Sequence, residues 1–287
     1  MANKPVVLFT DTPADLGAEL EARYSVHTIP LHVNLEGKDY KDAVDITADE
    51  IFEVYREKKI LPMTSAINAA EYMDAFKPWL EKGYEVVCIC IGGALSSCYQ
   101  NACIAADELP GVYPVDSCNL STGIGLLVIR AAELIAEGKS AAEVQATVRE
   151  LTAKSHASFV IDTLEFMKAG GRCSSVAAFA ASLLNIKPCI RVNNADGSMA
   201  VCRKYRGKLM SVLEKYVEEE LASYPPEAID TSRIFITHSK IDKEYCDMVR
   251  EKINSIMHFD EIFDTDASCT ISSHCGPGTL GILFMTK

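Results

Sequence analysis

Three segments of the chain carry hydroxyls near element ends, and each could form a small polar site. In the first, an apolar run over 85–91 gives way to Gly92-Gly93-Ala94-Leu95-Ser96-Ser97 and then to a helical pattern. A helix start beyond the carboxyl end of a strand offers unpaired N–H groups and a positive dipole end, which suits an anion. Ser96 serves equally well as a cap for its own helix. The second segment, Leu61-Pro62-Met63-Thr64-Ser65, precedes a helix expected over 68–82, and N-capping is again the simpler role for its hydroxyls. The third is Ser273-His274-Cys275-Gly276-Pro277-Gly278-Thr279-Leu280-Gly281. Its glycines and proline force a tight backbone beside His274; a histidine on a rigid loop is a site candidate, although a lone histidine is often structural.

Two chemistries follow from these residue types. Ser96 with His274, oriented by a strand-end carboxylate such as Asp11 or Asp116, would make a stand-alone acyl transferase or hydrolase. The same helix start, acting without a nucleophile, would hold a small anion or a sugar phosphate. Other signatures fail. Gly138-Lys139-Ser140 ends like a phosphate-binding loop, but Glu133 stands where its first glycine belongs. Neither Ser96 nor Ser97 lies in G-x-S-x-G, and no C-x-x-C supports a zinc or redox pair. Arg203-Lys204-Tyr205-Arg206 is a basic cluster in an acidic chain, and its bland reading is a solvated strand end.

Composition narrows the classes further. The 28 basic and 40 acidic residues leave a net charge of −12, which argues against a phosphate-tracking nucleic-acid binder. Apolar residues at 48% and charged ones at 24% exclude disorder and a coiled-coil rod. Eleven cysteines, an odd count in a chain of 287 residues with no opening signal segment, read as reduced cytoplasmic thiols. Residues 86–106 carry no formal charge, but the polar run Ser96-Ser97-Cys98-Tyr99-Gln100-Asn101 in their second half rejects a membrane span.

The elements that must position these residues alternate strand and helix. Strands are expected at 5–10, 85–91 and 112–115, each followed by polar turn residues and a helical pattern, as in a parallel α/β sheet. Thr47 with Glu50 and Ser140 with Glu143 read as capping boxes starting helices over 48–58 and 141–154. Beyond a seam near 153–157 the pattern becomes α+β. A strand runs into a short helix over 158–167, and an apolar helix follows over 174–184. Strands joined around Asp196-Gly197 occupy 186–206, and further strands lie at 233–239 and 279–287. Two domains, 1–154 and 155–287, are expected.

In order along the chain, these pieces resemble the DegV family. Asp11-Thr12-Pro13-Ala14-Asp15-Leu16 is similar to its D-S-T-A-D-L, Thr64-Ser65 to the start of T-S-Q-P-S, and Leu95-Ser96-Ser97-Cys98-Tyr99-Gln100-Asn101-Ala102 to L-S-G-T-Y-Q-S-A. Val115-Asp116-Ser117, Leu164-Glu165-Phe166, Gly170-Gly171-Arg172, Asn185-Ile186-Lys187-Pro188 and His274-Cys275-Gly276-Pro277-Gly278 continue the series. Ala66-Ile67-Asn68, Ser97-Cys98 and Gly92-Gly93 depart from it.

The resemblance implies a two-domain fold with a long-chain fatty acid in a tunnel between an N-terminal parallel-sheet α/β domain and a C-terminal α+β domain. It places the carboxylate at Thr64, Ser65, Ser96, Ser97 and His274, with no metal and no cofactor besides the lipid. It further implies a carrier, not an enzyme, that presents the carboxylate to a separate ATP-dependent fatty acid kinase subunit, yielding acyl phosphate for phospholipid synthesis. Arg203 and Arg172 are then expected to serve partner docking or phosphotransfer, and any membrane contact is expected to be transient, without a span. The helices at 122–136 and 174–184 could line the tunnel, and ordinary core packing explains them equally.

Overall fold

The computed structural model describes residues 3–173 and 186–287, so the helix expected over 174–184 and the motif residue Asn185 lie outside the described residues. The chain opens with β1 (Val6–Asp11), α1 (Gly17–Tyr24) and β2 (Val26–Ile29). An antiparallel excursion follows: β3 (His32–Leu35), β4 (Lys38–Lys41), α2 (Ala48–Lys58) and β5 (Met63–Ser65). The βα rhythm resumes through α3 (Ala69–Glu81), β6 (Glu85–Cys90), α4 (Cys98–Glu108), β7 (Val112–Asp116), α5 (Thr122–Ala136) and α6 (Ala141–Leu151). Next come β8 (Ser155–Val160), α7 (Glu165–Gly170), β9 (Ile186–Val192), β10 (Met199–Arg206) and α8 (Leu209–Leu221). The chain ends with β11 (Ile229–Ser239), α9 (Lys243–Ile256), β12 (Glu261–Asp266), α10 (Cys269–Cys275) and β13 (Thr279–Thr286).

The strands form a parallel sheet ordered β2-β1-β6-β7, a small antiparallel sheet β4-β3-β5, and a mixed sheet β10-β9-β8-β13-β11-β12. Nearly continuous apolar runs make β1 and β6 suitable for the doubly covered centre of the parallel sheet. The chain leaves β1 for β2 on one side and later enters β6 on the other. The carboxyl ends of β1 and β6 therefore flank a topological switch point, the place where open α/β sheets bind ligands. Asp11, fully buried at the end of β1, accepts the Ile91 N–H at 2.9 Å and the Tyr72 hydroxyl at 2.7 Å, joining both strand ends to α3. Burial pushes its carboxyl up to about 7 against the pull of those two hydrogen bonds.

Of the two roles open to the helix over 122–136, the structure shows core packing: as α5 it lies between the two large sheets. It touches β1 and β6 on one side and β8 and β13 on the other. Gly125 permits this approach: a Cβ there would meet the Leu16 side chain at 2.9 Å and the Ala14 carbonyl at 3.0 Å. One apolar cluster consequently runs from Val7 and Val87 through Ile124 and Leu127 to Phe159 and Leu283. Both expected capping boxes form, and Asn68 with Glu71 makes a third at the start of α3.

Candidate functional site: a polar mouth on an apolar cavity

A cavity of about 500 Å³ opens beyond the carboxyl ends of the parallel strands. Thr64, Ser65, Ser96, Ser97, Arg172 and His274 contribute its polar lining, and Leu31, Leu120, Met167, Met199 and Ile271 its apolar walls. A narrower apolar space of about 20 Å³ shares Leu120, Ile271 and Cys275 with it and continues past Phe159 and Leu283 between the sheets. The volume lies within the roughly 300–1,000 Å³ of small-molecule sites.

Each polar group is held by a distinct element. Thr64 sits on β5, paired with Val33 of β3. It does not cap α3, because Asn68 performs that role. His274 occupies the last turn of α10, not the glycine loop; Gly276 and Gly278 follow at φ +77° and turn the chain into β13. The helix is anchored by Asp42, which accepts the Cys269 and Thr270 N–H groups at 2.8 and 3.0 Å, and by Asp15, which accepts the Ser268 N–H at 2.9 Å. Carboxylates suit a helix start because its first N–H groups have no partner within the helix.

His274 Nε2 lies 2.8 Å from Thr64 Oγ1. Its Nδ1 has no hydrogen-bond partner among the described residues. Burial, assisted by the nearby Arg172 charge, pushes the imidazole down to about 4, so the ring is neutral at physiological pH. With the proton on Nε2 the ring donates to Thr64 Oγ1, freeing the threonine hydroxyl to donate into the cavity. The His274 ring resonances, assigned against a His274→Asn variant, are therefore expected to stay constant from pH 5.5 to 8. A titration centred near the ordinary histidine value would show a solvated ring instead.

Arg172 fixes the rim, donating from Nη1 to Gly170 O at 2.7 Å and from Nε to Leu95 O at 3.3 Å. Ser96 lines the cavity and also turns on itself: its Oγ accepts the Cys98 N–H at 3.3 Å and donates to Cys98 Sγ at 3.2 Å. Gly93 keeps its N–H on Asp116 at 3.0 Å, and a Cβ there would crowd Asp116 Oδ2 at 2.7 Å. Thr270, which the sequence did not suggest, adds a buried hydroxyl to the wall.

Arg203 is not among the lining residues. The register shifts between Val201 and Arg203, and one extra residue reverses which side chains face each way. Met199 thus lines the cavity, whereas Arg203 turns to α8 and reaches Glu220 Oε2 at 2.9 Å. Nor do the residues assemble a serine triad. His274 bonds Thr64 and not Ser96, while Asp11 and Asp116 are engaged elsewhere. Among the described residues two groups of ligand-type atoms, Asp11-Cys88-Cys90 and His238-Cys246-Asp264, each gather within 4.8 Å, and neither joins the polar mouth.

The model of an uncharacterised protein family, DegV, matches residues 5–287. The chain belongs to the DegV family. A DegV domain-containing protein of Clostridium perfringens is 32% identical, with 98% of each chain covered. A second from Deinococcus radiodurans is 30% identical over 96% of this chain and 97% of that one. Among solved structures, a fatty acid-binding DegV family protein from Thermus thermophilus superposes with a TM-score of 0.88 at 32% identity, covering 99% of this chain and 100% of that one. DegV from Bacillus subtilis, described as a fatty acid binding protein, gives 0.83 at 25% identity with both chains fully covered. The parallel and mixed sheets described above are thus the DegV fold.

Proposed function

We propose that this DegV chain holds a long-chain fatty acid, its carboxylate at Thr64, Ser96 and His274 and its acyl chain along the apolar walls. The carrying observation is the bonded Thr64–His274 pair at the mouth of a cavity whose far side is apolar. The fatty acid-binding relatives from Thermus thermophilus and Bacillus subtilis support the ligand class. Burying roughly fourteen methylenes at about 0.8 kcal/mol each outweighs any one head-group hydrogen bond of about 1.5–3 kcal/mol. The walls therefore retain the lipid and the mouth orients it. On this reading the domains meet at 154/155, where the chain enters the mixed sheet.

The carboxylate at an open mouth suits presentation to a separate ATP-dependent kinase subunit, which would form the acyl phosphate. In this role the chain is a cytoplasmic carrier, not an enzyme. Of the two arginines expected to serve partner docking or phosphotransfer, Arg172 lines the cavity and is the cation beside the transferring group. No helix of the described residues is long and apolar enough to cross a membrane.

Denatured extracts of the purified protein, examined by mass spectrometry, are expected to yield a long-chain fatty acid. The Thr64→Ala/Ser96→Ala variant should fold normally and bind that lipid at least tenfold more weakly, since each lost donor to a charged acceptor costs about 1.5–3 kcal/mol. Lipid-free extracts, or unchanged affinity in the double variant, would overturn the assignment.

A further inference from the structure

On the α8 side of the mixed sheet, away from the cavity, two thiols face each other. Val201 pairs with Ile190 and Arg203 with Cys189, so Cys202 and Arg203 together oppose a single residue of β9. Val201 packs into the core between the sheets, whereas Cys189 and Tyr205 belong to the cluster beneath α8. Cys202, the next residue after Val201, points to that second side. The Cys202 thiol donates to the Cys189 carbonyl oxygen at 3.4 Å, and the Cys189 thiol is close enough to act on its ionisation.

The surroundings favour a thiolate at one position and a thiol at the other. Arg191 and Arg203 share the buried carboxylate of Glu220, at 2.6 and 2.9 Å. Glu219, further out, accepts the Tyr205 hydroxyl at 3.0 Å. The hydrogen bond from Cys189 is the main influence lowering Cys202 to about 7; desolvation and Glu220 oppose it, and the two guanidinium groups assist. The same bond, then burial, holds Cys189 well above the ordinary range. Of the eleven cysteines, all within the described residues, Cys202 is the exposed one. A partly ionised, accessible sulfur beside a protonated resolving thiol is the arrangement of a reactive cysteine pair.

We propose that Cys202 and Cys189 are a hydroperoxide-reactive dithiol that closes to a cross-strand disulfide. The Cys202 sulfur attacks the terminal peroxide oxygen; an S–O bond forms, the O–O bond breaks, and the alcohol, or water from hydrogen peroxide, leaves with the proton. Cys202 is then a sulfenic acid. The Cys189 sulfur attacks it, the S–S bond forms, the S–O bond breaks, and the oxygen departs as water with the Cys189 proton. One peroxide is reduced and two thiols are oxidised. The bulge sets Cys202 beside Arg203 opposite Cys189, and neighbouring strands lie about 4.7–4.9 Å apart, within the Cα span a disulfide accepts.

The full chain treated with hydrogen peroxide, alkylated under denaturing conditions and mapped by mass spectrometry tests this. A Cys189–Cys202 linked peptide is expected before any change at half-buried Cys103 or Cys118, and dithiothreitol should remove it. Cys189→Ser should stop at a Cys202 sulfenic acid that dimedone captures. Cys202→Ser should lower the initial rate of thiol loss roughly tenfold, the difference between a half-ionised and an ordinary thiol at neutral pH. Earlier oxidation of Cys103 or Cys118 in the wild-type chain, Cys202 oxidation without a link to Cys189, or wild-type thiol loss in Cys202→Ser would each overturn the proposal.

Discussion

Gly170→Ala is expected to weaken fatty acid binding roughly 10- to 100-fold while the melting temperature stays within a few degrees of wild type. Gly170 ends α7 without a positive φ, so alanine is compatible with its backbone and would ordinarily favour a helix. The obstacle is His274. A Cβ at position 170 would overlap Nδ1 and stand 3.0 Å from Cε1 and 3.1 Å from Cγ of the ring. The imidazole must move, and the 2.8 Å contact with Thr64 breaks with it. Displacement of a fluorescent fatty acid measures the affinity, and a double-mutant cycle isolates the cause. In a His274→Ala background the same substitution should cost nothing further, because the clash has gone. An equal additional loss in that background would show that Gly170 acts through some other contact.

This dependence explains part of what the sequence could and could not convey. Gly170-Gly171-Arg172 was legible as a motif, but not that its first glycine accommodates a histidine more than 100 residues away. The parallel sheet was legible because its central strands are uninterrupted apolar runs between turn residues, a pattern that burial on both faces imposes. β12 and the small antiparallel sheet were not. Glu261–Asp266 is acidic at three of its six positions and lies at a sheet edge, and β4 is largely charged, so neither has the apolar run that marks a central strand.

At the site, Thr64, Ser96 and His274 were found by type and motif, and the cavity brings them together. Arg203 lies apart from the cavity for a local reason. An alternating pattern predicts one facing for the whole of β10, and a single extra residue at Cys202 reverses it for Arg203. Arg203 therefore meets Glu219 and Glu220 of α8 and not the cavity. Thr270 and Asp42 were missed because a buried hydroxyl or carboxylate carries no local signature; only the partners brought by the fold distinguish it.

Asp42→Ala is expected to lower stability by about 3–5 kcal/mol, since it removes a fully buried acceptor serving three donors. Two are the Cys269 and Thr270 N–H groups at the start of α10, and the third is the Thr12 hydroxyl at 3.1 Å. Alanine would leave those groups dry and unpaired, whereas Asp42→Asn retains one acceptor oxygen and should lose roughly half as much. Urea unfolding measures both. Because α10 packs on β3, β5, α2 and α7 and carries His274, the damage should extend to the mouth of the cavity. Fatty acid raises the stability of any variant that still binds it, by an amount set by concentration and affinity. That increment should therefore be smaller in Asp42→Ala than in wild type at the same lipid concentration. A loss below about 1 kcal/mol, the worth of an ordinary surface substitution, would show that water replaces the carboxylate. A full stability loss with an undiminished lipid increment would show that Asp15, through Ser268, suffices to hold His274 in place.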